Sequence, residues 1–139
     1  MKVSIVSGGF DPVHVGHIEL FEKARELSDE LWVILNTDEF LANKKGKPFM
    51  PFGERRKIIK SLRMVDAVIP CIDQDQTVCK TLKRLSKVAP NDKLFFCNGG
   101  DRVNGEVTPE HKLCEEMGIE TIYGLGDKIQ SSSWLTSDK

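Results

Sequence analysis

The chain has 139 residues, the length of one domain, and its 40% hydrophobic and 29% charged content is that of an ordinary folded globule. With 20 Lys and Arg against 21 Asp and Glu the formal net charge is −1, which gives no support for general nucleic-acid binding, a function that shows as a basic domain; any anion site has to be local. No stretch approaches the ~20 apolar residues that span a bilayer, and the opening Met1–Ser7 run is too short for a signal sequence. Cys71, Cys79, Cys97 and Cys114 contain no C-x-x-C pair and read as reduced, core-filling thiols of a cytoplasmic protein.

Strand-like apolar runs alternate with segments of helical period. Lys2–Ser7 is a β-branched run cut off by Gly8-Gly9. From Gly16 to Ser28, Leu20, Phe21, Ala24 and Leu27 form one helical face, with Glu19, Glu22, Lys23 and Glu26 on the other. Glu30–Asn36 is apolar on both faces, as in a buried parallel sheet. A polar stretch, Thr37–Met50, carries Lys44, Lys45 and Lys47 and reads as a loop. Helical period returns from Gly53 to Arg63, a strand follows over Val65–Ile72, and Thr77–Val88 is a helix with Val78, Leu82 and Leu85 on one face. Lys93–Cys97 is a strand ending at Asn98-Gly99-Gly100-Asp101. Thr108-Pro109 is a cap followed by proline, the start of a helix that stops at Gly118. Ile119–Tyr123 is a fifth strand, and Ser131 opens a last short helix.

This alternation predicts an α/β fold: a single domain over residues 1–139 with a five-stranded parallel sheet and helices on both faces. Ligands of such sheets lie at the carboxyl ends of the strands. There the polar, Gly-rich segments gather: Gly8–Asp11, Asn36-Thr37-Asp38, Asn98–Asp101 and Gly124–Ser133.

The segment Gly8-Gly9-Phe10-Asp11-Pro12-Val13-His14-Val15-Gly16-His17 concentrates the chemistry. Paired glycines after a strand let backbone N–H groups approach an anion, and the helix N-terminus adds further donors. His14 and His17 stand three apart at that helix start, so both rings can face one point and donate to phosphate oxygens. No Gly-Lys-Ser/Thr follows, so this is not a Walker A loop, and it is not G-x-G-x-x-G. Two other readings stay open: histidines that only fill space, and metal ligands with Asp11 as a third.

His14-x-Gly16-His17 after Gly-Gly-Phe-Asp resembles the H-x-G-H signature of the cytidylyltransferase-like nucleotidyltransferase superfamily, whose members include glycerol-3-phosphate cytidylyltransferase and heptose-1-phosphate adenylyltransferase. The resemblance runs over nearly the whole chain and implies a three-layer Rossmann-like fold. It also implies roles. Lys44 and Lys45 look like the family's lysine loop, which closes on the phosphates. Arg55, Arg63 and Asp66 resemble a pattern in which an arginine helix leads into a Val-Asp strand, and the two arginines would serve the acceptor phosphate or a dimer contact. Gly100 and Asp101 match a G-x-D turn near the base and ribose. Lys128, Gln130, Ser131, Ser132 and Ser133 look like the motif that holds the β- and γ-phosphates, with Gly126 where several members carry arginine and Lys128 as its replacement.

The function expected is nucleotidyl (CMP or AMP) transfer from an NTP, CTP or ATP, to a small phosphorylated acceptor such as a sugar phosphate or polyol phosphate, releasing pyrophosphate. His14, His17 and a loop lysine would be catalytic; Gly8, Gly9, Phe10, Asp11 and Gly16 would hold the nucleotide; Asp38 would join the acceptor residues. Asp11 is the candidate for Mg²⁺, shared with substrate phosphates. Alternatives are an FMN adenylyltransferase, a nucleotide-binding regulatory module without turnover, and a metal-dependent phosphohydrolase, which the shortage of ligands argues against. The resemblance implies a homodimer; no nucleic-acid or membrane partner is expected.

Overall fold

Four of the five strands begin where β-branched and aromatic residues concentrate, and all pair in parallel. In the computed structural model, which describes residues 1–45, 47–75, 77–99 and 108–125, the elements in chain order are β1 (Lys2–Gly8), α1 (Val15–Glu26), β2 (Glu30–Leu35), α2 (Asp38–Lys45), α3 (Phe52–Lys60), β3 (Ala67–Pro70), α4 (Cys79–Val88), β4 (Lys93–Gly99), α5 (Pro109–Met117) and β5 (Glu120–Leu125). The sheet order is β3-β2-β1-β4-β5. β1 is therefore central; the chain crosses from one half of the sheet to the other on going from β3 to β4, so the switch point lies between the neighbouring strands β1 and β4. A crevice opens at the carboxyl ends of strands at such a switch point.

Alternation along the strands divides the core in two. Val3 and Ile5 of β1 face a cluster with Ile34, Leu94 and Phe96, covered by Leu82 and Leu85 of α4 and Cys114 of α5. Val6 faces the opposite side, where Leu31, Val33, Leu35, Phe95 and Cys97 pack under Phe21 and Ala24 of α1 and Ile59 of α3. Helices thus cover both faces, as the sequence predicts. Ser4 is the polar exception in β1; it is fully buried, and its hydroxyl donates to Ala24 O at 2.7 Å, tying α1 to the sheet. Cys71, Cys97 and Cys114 are buried and unpaired. Burial pushes the Cys97 thiol up to about 11 and the Cys114 thiol up to about 12, so both behave as core hydrophobes.

One expectation is corrected. The polar stretch after β2 is not all loop: Asp38–Lys45 is helical, with Thr37 Oγ1 accepting from Phe40 N–H at 3.1 Å as its cap and Asp38 and Glu39 in the first turn. Phe40 and Leu41 are buried, which anchors this short helix beside the Gly8-Gly9 turn. Gly118 ends α5 in the left-handed conformation at φ 74°. The helix expected at Ser131 lies outside the described residues. Among the described residues no helix is long and apolar enough to cross a membrane.

Candidate active site

The start of α1 is capped by its own histidines. His14 is the N-cap, and its Nδ1 accepts Gly16 N–H at 3.1 Å; in return His17 Nδ1 accepts His14 N–H at 3.2 Å. This is the reciprocal geometry of a capping box with imidazoles in place of the usual hydroxyl and carboxylate. It decides the tautomers. A nitrogen that accepts an N–H carries no proton, so in each neutral ring the proton sits on Nε2. The rings stack with centroids 3.8 Å apart, and Phe10 meets His17 edge-on at 4.9 Å. His14 is only 8% exposed, and burial lowers its pKa below 6.5. Its Nε2 is buried and has no hydrogen-bond partner among the described residues, which leaves a buried donor unmet.

A second network fixes the turn before the histidines. Asp11 is buried, and its two oxygens accept Phe49 N–H at 2.6 Å and Met50 N–H at 2.7 Å, so the segment after α2 is drawn onto the turn. Arg55 of α3 is fully buried. Its Nη1 donates to Gly9 O at 2.9 Å and Asn36 O at 2.8 Å, its Nε to Met50 O at 2.9 Å, and its Nη2 to Asp38 Oδ1 at 2.7 Å. One guanidinium thereby joins the ends of β1 and β2, the start of α2 and the segment before α3. The glycines fit because space is short: a Cβ on Gly9 would come within 2.7 Å of Leu41 Cδ2, and one on Gly8 within 2.9 Å of Phe10 Cζ.

Gly8, Gly9, Phe10, Asp11, His14, Gly16, His17 and Asp38 therefore gather at one sheet edge, with Lys44 and Lys45 closing the helix that leads away from it. At Arg55 and Asp66 the geometry departs from the expected role. Arg55 does not present a free guanidinium to an acceptor phosphate, because four of its donors are spent on the protein. Asp66 sits at the opposite edge: its Oδ2 accepts Leu31 N–H at 2.8 Å and pairs with Arg25 Nε at 3.2 Å. Leu31 is level with Ser4 of β1, four residues or ~13 Å short of Gly8. Arg63 is exposed in the same connection. Each Asp11 oxygen accepts one amide N–H, and among the described residues no cluster of His, Cys, Asp and Glu could hold a metal by itself. Gly100, Asp101, Lys128, Gln130, Ser131, Ser132 and Ser133 lie outside the described residues. Sequence reasoning did not single out Asn36, whose carbonyl joins this network, although its place in the polar Asn-Thr-Asp segment after a strand was a usable signal.

Comparison with known proteins identifies the family. The cytidylyltransferase-like family model matches residues 5–125. A glycerol-3-phosphate cytidylyltransferase of Bacillus subtilis is 44% identical over 125 residues, covering 90% of this chain and 91% of that one. An FAD synthase of Methanohalophilus mahii is 32% identical over 91% of this chain and 82% of its own. Among solved structures, the lipopolysaccharide core biosynthesis protein of Thermoplasma volcanium superposes with a TM-score of 0.70 at 23% identity, over 91% of this chain and 98% of that one, a likeness of fold. The chain belongs to the cytidylyltransferase-like family of nucleotidyltransferases.

Proposed function

We propose that the chain transfers CMP or AMP from CTP or ATP to a small sugar phosphate or polyol phosphate and releases pyrophosphate. The observation that carries this reading is the histidine pair: two rings locked as Nε2–H donors, one with its donor buried and unpartnered. An acceptor-phosphate oxygen attacks the α-phosphorus; the new O–P bond forms as the bond to the β-phosphate oxygen breaks, and pyrophosphate leaves. The attacking oxygen is already ionised at neutral pH, so no proton has to be removed. Catalysis is then positioning and charge stabilisation. In this reading His14 and His17 donate to phosphate oxygens, Lys44 or Lys45 meets the charge that builds, Gly100 and Asp101 sit by the base and ribose, and Lys128, Gln130 and Ser131–Ser133 hold the leaving group. Asp11 and Arg55 position the turn. Any magnesium arrives with the triphosphate, as part of the substrate. Arg63, exposed and away from the turn, is left for contact with a second copy in a homodimer, and the enzyme works in the cytoplasm on soluble metabolites.

Pyrophosphate release is the test, with CTP and with ATP, against glycerol 3-phosphate, hexose and heptose phosphates, and FMN. One polyol or sugar phosphate should support turnover with one of the nucleotides, and His17→Ala should lower kcat at least ~10²-fold while the fold is kept. The likeness to an FAD synthase supports a second reading, adenylyl transfer to FMN, and turnover with FMN alone would establish it. Nucleotide binding with no pyrophosphate from any pair would leave a regulatory module and overturn the proposal.

A further inference from the structure

Asn36 is a buried side chain whose amide oxygen meets no hydrogen-bond donor among the described residues. It extends the β2 ladder by one residue: its N–H donates to Gly8 O at 3.0 Å, and its carbonyl accepts Arg55 Nη1 at 2.8 Å. Both backbone groups are therefore already held. It is 5% exposed, and Oδ1 is buried and accepts no hydrogen bond among the described residues. Leaving a carbonyl oxygen in this state is unfavourable, and native structures rarely do so without a ligand or water to complete it.

Its surroundings say what kind of group completes it. Alternation places Asn36 on the side of the sheet faced by Ile34, in the cluster that includes Phe40 and Cys71. Phe40 and Cys71 also line a cavity of about 110 Å³ beyond the ends of β2 and β3, whose wall includes Thr37, Glu39 and Asp73; Asn36 is not part of that wall but directly precedes Thr37 in the chain. That volume is well below the ~300 Å³ at which ordinary ligand pockets begin: it takes a short chain, not a fused ring system. Among the described residues the lining holds two carboxylates, Glu39 and Asp73, and no cation, a wall that favours an uncharged group. Asp73 already accepts Lys80 N–H, Thr81 N–H and the Thr81 hydroxyl. β4 and β5, which lead to Asp101 and Ser131, lie on the far side of β1. An acceptor whose phosphate sits by His14 would therefore extend its uncharged end toward Asn36, away from the nucleotide.

We propose that Asn36 Oδ1 accepts a hydrogen bond from a hydroxyl of the acceptor, and that this contact selects short polyol phosphates with an uncharged far end over their deoxy counterparts. The inference rests on the nucleotidyl-transfer reading for what an acceptor is. It is tested with glycerol 3-phosphate, 2-hydroxypropyl phosphate and 3-hydroxypropyl phosphate on the wild type, Asn36→Leu and Asn36→Ala. The wild type should prefer glycerol 3-phosphate to at least one deoxy compound by ~10-fold or more in kcat/KM. In the variants that ratio should fall toward one, with KM for the nucleotide unchanged. Ligand-free Asn36→Leu should melt no lower than the wild type, because the orphaned oxygen is gone. Retained discrimination in both variants, a parallel rise in nucleotide KM, or a marked loss of ligand-free stability in both would overturn the role. Melting shifts with glycerol 3-phosphate alone separate the two readings. If it stabilises the wild type but not the variants and no pyrophosphate is released, the transfer reading fails and the contact stands. If turnover is seen with the ratio unaltered, the contact fails and the transfer reading stands. If glycerol 3-phosphate is neither turned over nor stabilising, both fail.

Discussion

Phe10 holds φ at 48°, in the left-handed region that residues with a side chain rarely adopt. Its ring is buried against His17 and Phe21, contacts that hold the turn in place before His14. His14 then has two separable duties, capping the helix and facing the substrate. Asn is as good a cap as any residue, so His14→Asn should keep the fold and lose ~10²-fold or more in kcat, measured by pyrophosphate release. The same variant isolates a titration. The folded His14 pKa is lowered by burial, so unfolding takes up a proton below 6.5. The contribution to stability is whole above that pH and is lost as pH falls through 6.5 toward the folded value. Urea midpoints measured from pH 8 to 5 should fall more steeply for the wild type than for His14→Asn, and parallel curves would show that the ring titrates alike in both states.

At the scale of elements, Arg55 decides whether the ends of β1 and β2 and the start of α2 stay in register with α3. Lysine cannot span the carbonyls of Gly9, Asn36 and Met50 at once. Arg55→Lys should cost about 2–4 kcal/mol in urea unfolding and lower kcat while leaving acceptor KM little changed; a raised acceptor KM with normal stability would return Arg55 to direct substrate binding. Gly9→Ala tests the same junction from the other side. Its Cβ would press on Leu41, which is 3% exposed, so α2 must shift, and activity should fall by more than stability does. Much of this layer was legible in sequence, because strands buried on both faces and Thr108-Pro109…Gly118 carry local signals. α2 was not read, since its few apolar residues are packed by distant elements, although Thr37-Asp38-Glu39 held a cap signal. Arg55 and Arg63 cannot be told apart by spacing: one is walled in and the other exposed, and only tertiary packing makes the difference. The unmet oxygen of Asn36 is likewise a property of its surroundings.

Across the whole molecule, a net charge of −1 means that a highly charged nucleotide is drawn in by local donors, not by a general field. Binding should therefore report on the site itself. At ~100-fold excess over Kd, the preferred nucleotide adds about 2.7 kcal/mol to the folded state, a rise in Tm of roughly 8 °C for a chain of this size. CTP and ATP compared in one melting series should separate, the stabilising one being the donor. Equal, negligible shifts for both would argue that neither nucleotide enters this crevice.

The histidine cap also sets a limit on what the enzyme can do. With Nδ1 of each ring committed to a backbone N–H and Nε2 already bearing its proton, neither imidazole has a lone pair free to take a proton from an alcohol or from water. On the proposed function, the pair would steady a nucleophile that arrives ionised and would not itself create one by removing a proton.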